Sequence, residues 1–139
     1  MIRYLFDTNI VSELVRRRPN PNVMTRYRAH EHEGAISSVV WHEITYGLER
    51  LAPGSRRDEL ARYVAEVIQK TLPVLAYDDR AAQWHAGERA RLERVGRPRA
   101  LTDAMIAAVA ATRGLILVTR NTDDFIDFEG LHLENWFVD

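Results

Sequence analysis

Asp7, Glu43, Asp103, Asp123 and Asp124 stand at recurring places beside apolar runs of this 139-residue chain. Asp7 directly follows the run "IRYLF", and Glu43 falls in the first turns of the helix after "AISSV". Asp103 lies in the first turn of the helix before "LILVT", and Asp123 and Asp124 come after that run and the "TRNT" beyond it. Carboxylates brought together repel one another, and burial raises the cost. A hard divalent cation removes the conflict, and a set of oxygen donors selects magnesium or manganese over zinc. Such a cation also binds phosphate oxygens and lowers the pKa of a bound water, which is the chemistry of phosphodiester hydrolysis. Each acid taken alone has a plainer reading. Asp7 would cap a helix, Asp103 would face a helix dipole, Glu43 would be solvated, and Asp123, Asp124 and Asp127 would be loop acids. Four acids at equivalent strand and helix ends together favour a metal site.

These acids need elements to position them, and the hydrophobic periodicity supplies five strands alternating with helices. Strands are expected at 2–6, 35–39, 73–77, 115–119 and within "LHLENW". The segment "TNIVSELVRRR" has helical spacing through Ile10, Val11 and Leu14 and is broken by Pro19 and Pro21. A polar helix follows in "NVMTRYRAHEHEG", and Val40, Ile44, Leu48 and Leu51 make a helical stripe. Ser55 is expected to cap the helix "RRDELARYVAEVIQKTL" after the break "APGS". "DDRAAQWHAGERARLERVGRP" reads as an amphipathic helix, and "LTDAMIAAVAATRG" as a buried one. Nearly uniform apolar strands separated by helices imply a parallel sheet covered on both faces, hence a three-layer α/β fold with right-handed crossovers. In such sheets ligands bind beyond the carboxyl ends of the strands, where the strand order reverses. The acids fall at that edge.

Composition narrows the possibilities. The length suits one domain spanning 1–139, and 46% hydrophobic with 28% charged residues is ordinary for a globular chain. The absence of cysteine excludes disulfides, thiolate zinc sites and cysteine nucleophiles. With no membrane-length apolar run and no leader pattern, a cytoplasmic protein is expected. A net charge of -1 argues against non-specific binding of polyanions. Of the 19 basic residues all but Lys70 are arginine, which suits phosphate but also follows from codon bias.

The segments "YLFDTNIVSEL", "SSVVWHEITYGLERL", "LTDAMIAAVAATRGLILVTRNTDDF" and "EGLHLENW" resemble the PIN-domain ribonucleases, and among them the VapC toxins of prokaryotic toxin–antitoxin pairs. The resemblance runs from Leu5 to Trp136 and is weakest across 55–95. It implies a PIN-like domain acting as a magnesium-dependent (manganese being the alternative) endoribonuclease that cleaves RNA by water attack. It also implies inhibition by a VapB-like antitoxin and a homodimeric toxin. The family's first three acids match Asp7, Glu43 and Asp103, with Asp7 and Asp103 as the metal ligands. Its fourth position falls on Asn121 of the T-R-N stretch, an oxygen donor without charge, and Asp124 is the candidate for the missing charge. Thr8, Asn9 and Thr119 are expected as polar supports, although Thr8 and Asn9 suit helix capping equally. The first helix, with Ile10, Val11 and Leu14 beside the 40–51 helix, would form a groove for the antitoxin, with Arg16, Arg17 and Arg18 at its rim.

Other signals carry less. "HEHE" at 30–33 reads as a polar helix end, and His42-Glu43 lacks the second zinc histidine because Tyr46 stands there. His85 and His132 read as structural, and Trp41, Trp84 and Trp136 as core or interface residues. Rival readings are a phosphoacceptor signalling module, which needs a second acid near the first strand and a late lysine, and a dehalogenase-like phosphatase, which needs an acid at Asn9. A PIN-fold nuclease of RNA processing outside a toxin–antitoxin pair is a further alternative.

Overall fold

The computed structural model describes residues 1–138. Its sheet has five parallel strands: β1 (Tyr4–Phe6), β2 (Gly34–Ser37), β3 (Val74–Leu75), β4 (Ile116–Val118) and β5 (His132–Glu134). Their order across the sheet is β3-β2-β1-β4-β5. The chain therefore builds outward from β1 on one side and returns to build outward on the other. That reversal opens a crevice at the carboxyl end of β1 and β4, where the Asp7 N–H donates to the Val118 carbonyl at 3.0 Å. The three-layer α/β expectation holds.

The helices are α1 (Thr8–Leu14), α2 (Pro21–His30), α3 (Ser38–Glu49), α4 (Ser55–Tyr63), α5 (Gln69–Thr71), α6 (Asp79–Arg94) and α7 (Leu101–Thr112). Four begin on side-chain caps, among them α6, where Asp78 accepts from the Ala81 N–H at 2.9 Å. Asp7 caps α1, Ser37 Oγ accepts from the Val40 N–H to start α3, and Asn20 Oδ1 accepts from Asn22 and Val23 ahead of Pro21 in α2. Because Ser37 is a cap, β2 stops there and α3 starts two residues earlier than the apolar stripe suggested. The α1 helix ends at Leu14, so Arg16, Arg17 and Arg18 lie beyond it. Buried Glu13 fastens that turn by accepting from the Asn20 N–H at 2.7 Å and from Arg16 at 3.1 Å. Ser55 is not a cap: it is the first helical residue, and Gly54 holds the cap position without a side-chain bond. Between α4 and α5 the helix widens into a π turn at Val64–Ile68, where hydrophobic periodicity had implied one regular helix.

The core contains Leu5, Phe6, Ile36, Leu117 and Val118 from the strands and every residue of α7 from Ile106 to Ala110. Trp136 is buried after β5, with its ring edge-on to Tyr4 and Phe6 and its indole N–H donating to Glu134 at 2.9 Å.

Candidate active site

Asp7 owes its place to two roles. As the residue after β1 it sits at the sheet's carboxyl edge, and as the cap of α1 it accepts from the Thr8 N–H at 2.8 Å through Oδ1. Oδ2 accepts from the Thr119 hydroxyl at 2.8 Å and from the Asn9 amide at 3.3 Å. The carboxylate that caps α1 is therefore the same one that lines the cleft. Asn9 is oriented by its other contacts: its amide nitrogen also reaches Thr119 Oγ1 at 3.3 Å, and its Oδ1 accepts from the Arg120 N–H at 3.1 Å. Thr119, buried at the end of β4, also accepts from the Asn121 N–H at 3.1 Å. Asn9 and Thr119 thus support Asp7 through their side chains, whereas Thr8 does so through its backbone.

Despite three hydrogen bonds, burial pushes the Asp7 carboxyl above the ordinary aspartate range, and the Asp124 charge adds to the rise. Asp103, in the first turn of α7, is raised to about 6, chiefly by burial and then by the charges of Asp7 and Asp124, while Arg99 opposes the rise. Asp7, Thr8, Asn9, Glu43, Asp103 and Asn121 line one cleft of about 530 Å³. Asp124 lies outside its lining, in the turn Thr122–Asp124, yet its charge reaches both Asp7 and Asp103. Both fourth-position candidates are therefore near the site in different ways. Asn121 lines the cleft and Asp124 supplies charge.

Among the described residues no three carboxylates or imidazoles form a ready-made cage for a metal ion. The donors still fit a cation of the magnesium kind. Such an ion is commonly held by one or two carboxylates while water and phosphate fill the remaining positions, and it demands oxygen ligands. Asp7 and Asp103 meet that requirement, and the charge of Asp7 helps raise Asp103.

Several other acids and histidines have structural partners. Asp127 receives Arg97 and Arg99 and lies outside the cleft lining. His30 and Arg3 pair with Glu33 where "HEHE" turns into β2, and His85 bonds the Tyr77 hydroxyl at 2.8 Å. The expected antitoxin groove is differently lined. Ile10 and Leu14 point into the core, and the groove between α1, α3 and α4 is walled by Val11, Val15, Ile44, Leu48, Leu51, Leu60 and Val64. The cleft residues that were not foreseen are Ser12, Glu13, Thr102, Ile106, Arg120 and Phe137. Arg120 had a signal, its place inside the T-R-N stretch just after β4. Phe137 had none, because only the folded path beyond β5 brings it to the cleft.

Fold and cleft together define an α/β protein whose carboxylate site lies at the reversal point of a parallel sheet. A model of the PIN domain family matches residues 4–131, and the chain belongs to that family. With the family goes the use of a divalent cation. The chain is 39% identical, over 98% of its length and 99% of the relative's, to the tRNA(fMet)-specific endonuclease VapC of Shigella flexneri. It superposes with a TM-score of 0.86 and 32% identity on a chain of DNA-bound VapBC from Salmonella typhimurium, covering 98% of this chain and 99% of that one. A toxin–antitoxin complex from Klebsiella pneumoniae matches at a TM-score of 0.69 and 26% identity, covering 92% of this chain and 94% of that chain.

Proposed function

We propose that the chain is the toxin of a toxin–antitoxin pair, working as a homodimer in the cytoplasm and cutting RNA as a magnesium-dependent endoribonuclease. The observation that carries this reading is the Asp7–Asp103 pair. Two carboxylates, each raised above its ordinary range, line one cleft at the sheet's reversal point. The full-length likeness to a tRNA-specific VapC endonuclease supports RNA as the substrate, and makes tRNA(fMet) the first RNA to test. The toxin–antitoxin complex among the structural matches supports a protein inhibitor. Among the described residues no helix is long and apolar enough to cross a membrane.

Asp7 and Asp103 would hold a magnesium ion, which supplies polarisation of the scissile phosphate and activation of water. Thr119, Asn9 and the Thr8 N–H keep the Asp7 carboxylate in one orientation, so its oxygens are set before substrate arrives. Glu43 and Asn121 hold the attacking water, and the Glu43 carboxylate takes the proton that the water loses. A bond forms between that water oxygen and phosphorus, the bond from phosphorus to the 3′ oxygen breaks, and the 3′ oxygen leaves as a hydroxyl after taking a proton from solvent. Asp124 adds negative charge that favours cation binding. The test combines titration calorimetry with cleavage assays. Asp7→Asn and Asp103→Asn are expected to weaken magnesium or manganese binding and to abolish cleavage of tRNA(fMet) and single-stranded RNA. Unchanged metal affinity in both variants would overturn the metal assignment.

A further inference from the structure

Resting on the ribonuclease reading above, we infer that Arg120 and Phe137 form a second phosphate subsite in the cleft, holding a phosphodiester of the RNA next to the one that is cut. Both side chains line the cleft that contains Asp7 and Asp103. The Arg120 guanidinium lies over the Phe137 ring, 4.8 Å from its centroid. A ring face holds a planar cation flat while leaving its N–H edge free to form the two-pronged bond that a phosphate accepts. Among the described residues no carboxylate pairs with Arg120. The other arginine of the cleft, Arg16, is tied to Glu13 at 3.1 Å.

The pair is also fixed in place. The Arg120 N–H donates to Asn9 Oδ1 at 3.1 Å, and the amide of the same Asn9 donates to Asp7 Oδ2 at 3.3 Å. One side chain thus sets the spacing between the subsite and the acid. Asn135 ties the other half, its Oδ1 accepting from the Phe137 N–H at 2.9 Å and its amide donating to the Arg120 carbonyl at 3.4 Å. Arg26 donates to the Asn135 carbonyl at 3.0 Å, and Asn22 to that of Phe137 at 3.4 Å, joining this segment to α2. With Asp7, Glu13, Glu43 and Asp103 on its walls, the cleft repels a polyanion unless a cation beside the acids receives the chain. Arg120 is that cation.

The experiment measures KM and kcat on single-stranded RNA in magnesium, and the salt dependence of RNA affinity by fluorescence anisotropy in excess chelator. Arg120→Ala is expected to raise KM about tenfold with kcat within about twofold, and to flatten the slope of log affinity against log salt by ~0.7, the value for one lost phosphate contact on a single strand. Arg120→Lys restores the slope but not the full affinity, and Phe137→Leu raises KM with the slope unchanged. Melting curves, with Arg120→Gln as a second neutral variant, show that folding is intact. If the wild-type protein cuts RNA and Arg120→Ala and Arg120→Gln leave KM and slope unchanged, the subsite is wrong while the ribonuclease reading stands. If they weaken antitoxin binding and leave RNA affinity alone, the pair belongs to a protein interface and the inference is overturned. A wild-type protein that neither binds nor cuts RNA removes both readings.

Discussion

At the scale of single residues the site is a conflict of charges held in place by hydrogen bonds. Asp103 ionises only when the pH passes about 6, against 3.8 for an ordinary aspartate. Between those values the folded protein binds the extra proton and the unfolded chain does not, so stability from this group falls as pH rises. Removing the charge reverses the loss. In chelator at pH 7.5, Asp103→Asn is expected to be more stable than wild type by about 1 kcal/mol, a figure reduced for solvent screening of a half-exposed carboxylate. The difference should vanish near pH 3, below both the folded and the unfolded value, where the wild-type residue is neutral in either state. A melting-temperature gain that persists at pH 3 would assign the effect to something other than charge. The Thr119 hydroxyl donates to Asp7 and accepts from the Asn121 N–H and the Asn9 amide, so Thr119→Val keeps the shape and removes all three bonds. Cleavage is expected to fall roughly 10–100-fold, as when partners that orient a metal ligand are lost. Activity within twofold of wild type would show that Thr119 does not hold Asp7 in its working orientation.

Elements were legible wherever period and cap chemistry agree. Ile116–Val118 and the buried α7 match the sequence reading closely, because an uninterrupted apolar run and an alanine-rich stripe leave few alternatives. Asp7, Glu43 and Asp103 were legible as cleft acids because strand ends converge at one edge of a parallel sheet. What was not legible depends on tertiary contacts. The end of α1 is set by buried Glu13 reaching Asn20, the π turn at Val64–Ile68 breaks a pattern that looked regular, and Phe137 reaches the cleft only through Asn135 and α2. Ile10 and Leu14 follow the helical spacing of a groove wall, yet the sheet takes that face of α1 into the core. Gly34 illustrates a constraint invisible in composition. A Cβ there would come within 2.2 Å of the Phe6 ring, which is itself fully buried. Gly34→Ala is expected to cost about 1–3 kcal/mol in denaturant unfolding, the range for forcing an extra methyl into a packed core. A change below about 0.5 kcal/mol would show that β1 and β2 have room to separate.

At the scale of the whole molecule the acid cleft and the apolar groove share Thr8, Ser12 and Glu43, so a partner seated in the groove reaches the edge of the active site. That continuity supports inhibition by an antitoxin segment that lays an apolar face along α1 and α3. Leu48→Glu, placed away from the acids, is expected to weaken antitoxin affinity at least tenfold while leaving RNA cleavage intact, as judged by titration against the cognate inhibitor. Equal affinity in that variant would move the inhibitor elsewhere. The central claim is that this fold uses its carboxylate cleft to hydrolyse RNA by water attack, and the ends of the products report it most directly. Cleavage in magnesium is expected to leave a 5′-phosphate and a 3′-hydroxyl, to tolerate a 2′-deoxy sugar at the cut position, and to stop in excess chelator. A 2′,3′-cyclic phosphate end, or undiminished cleavage in chelator, would contradict it.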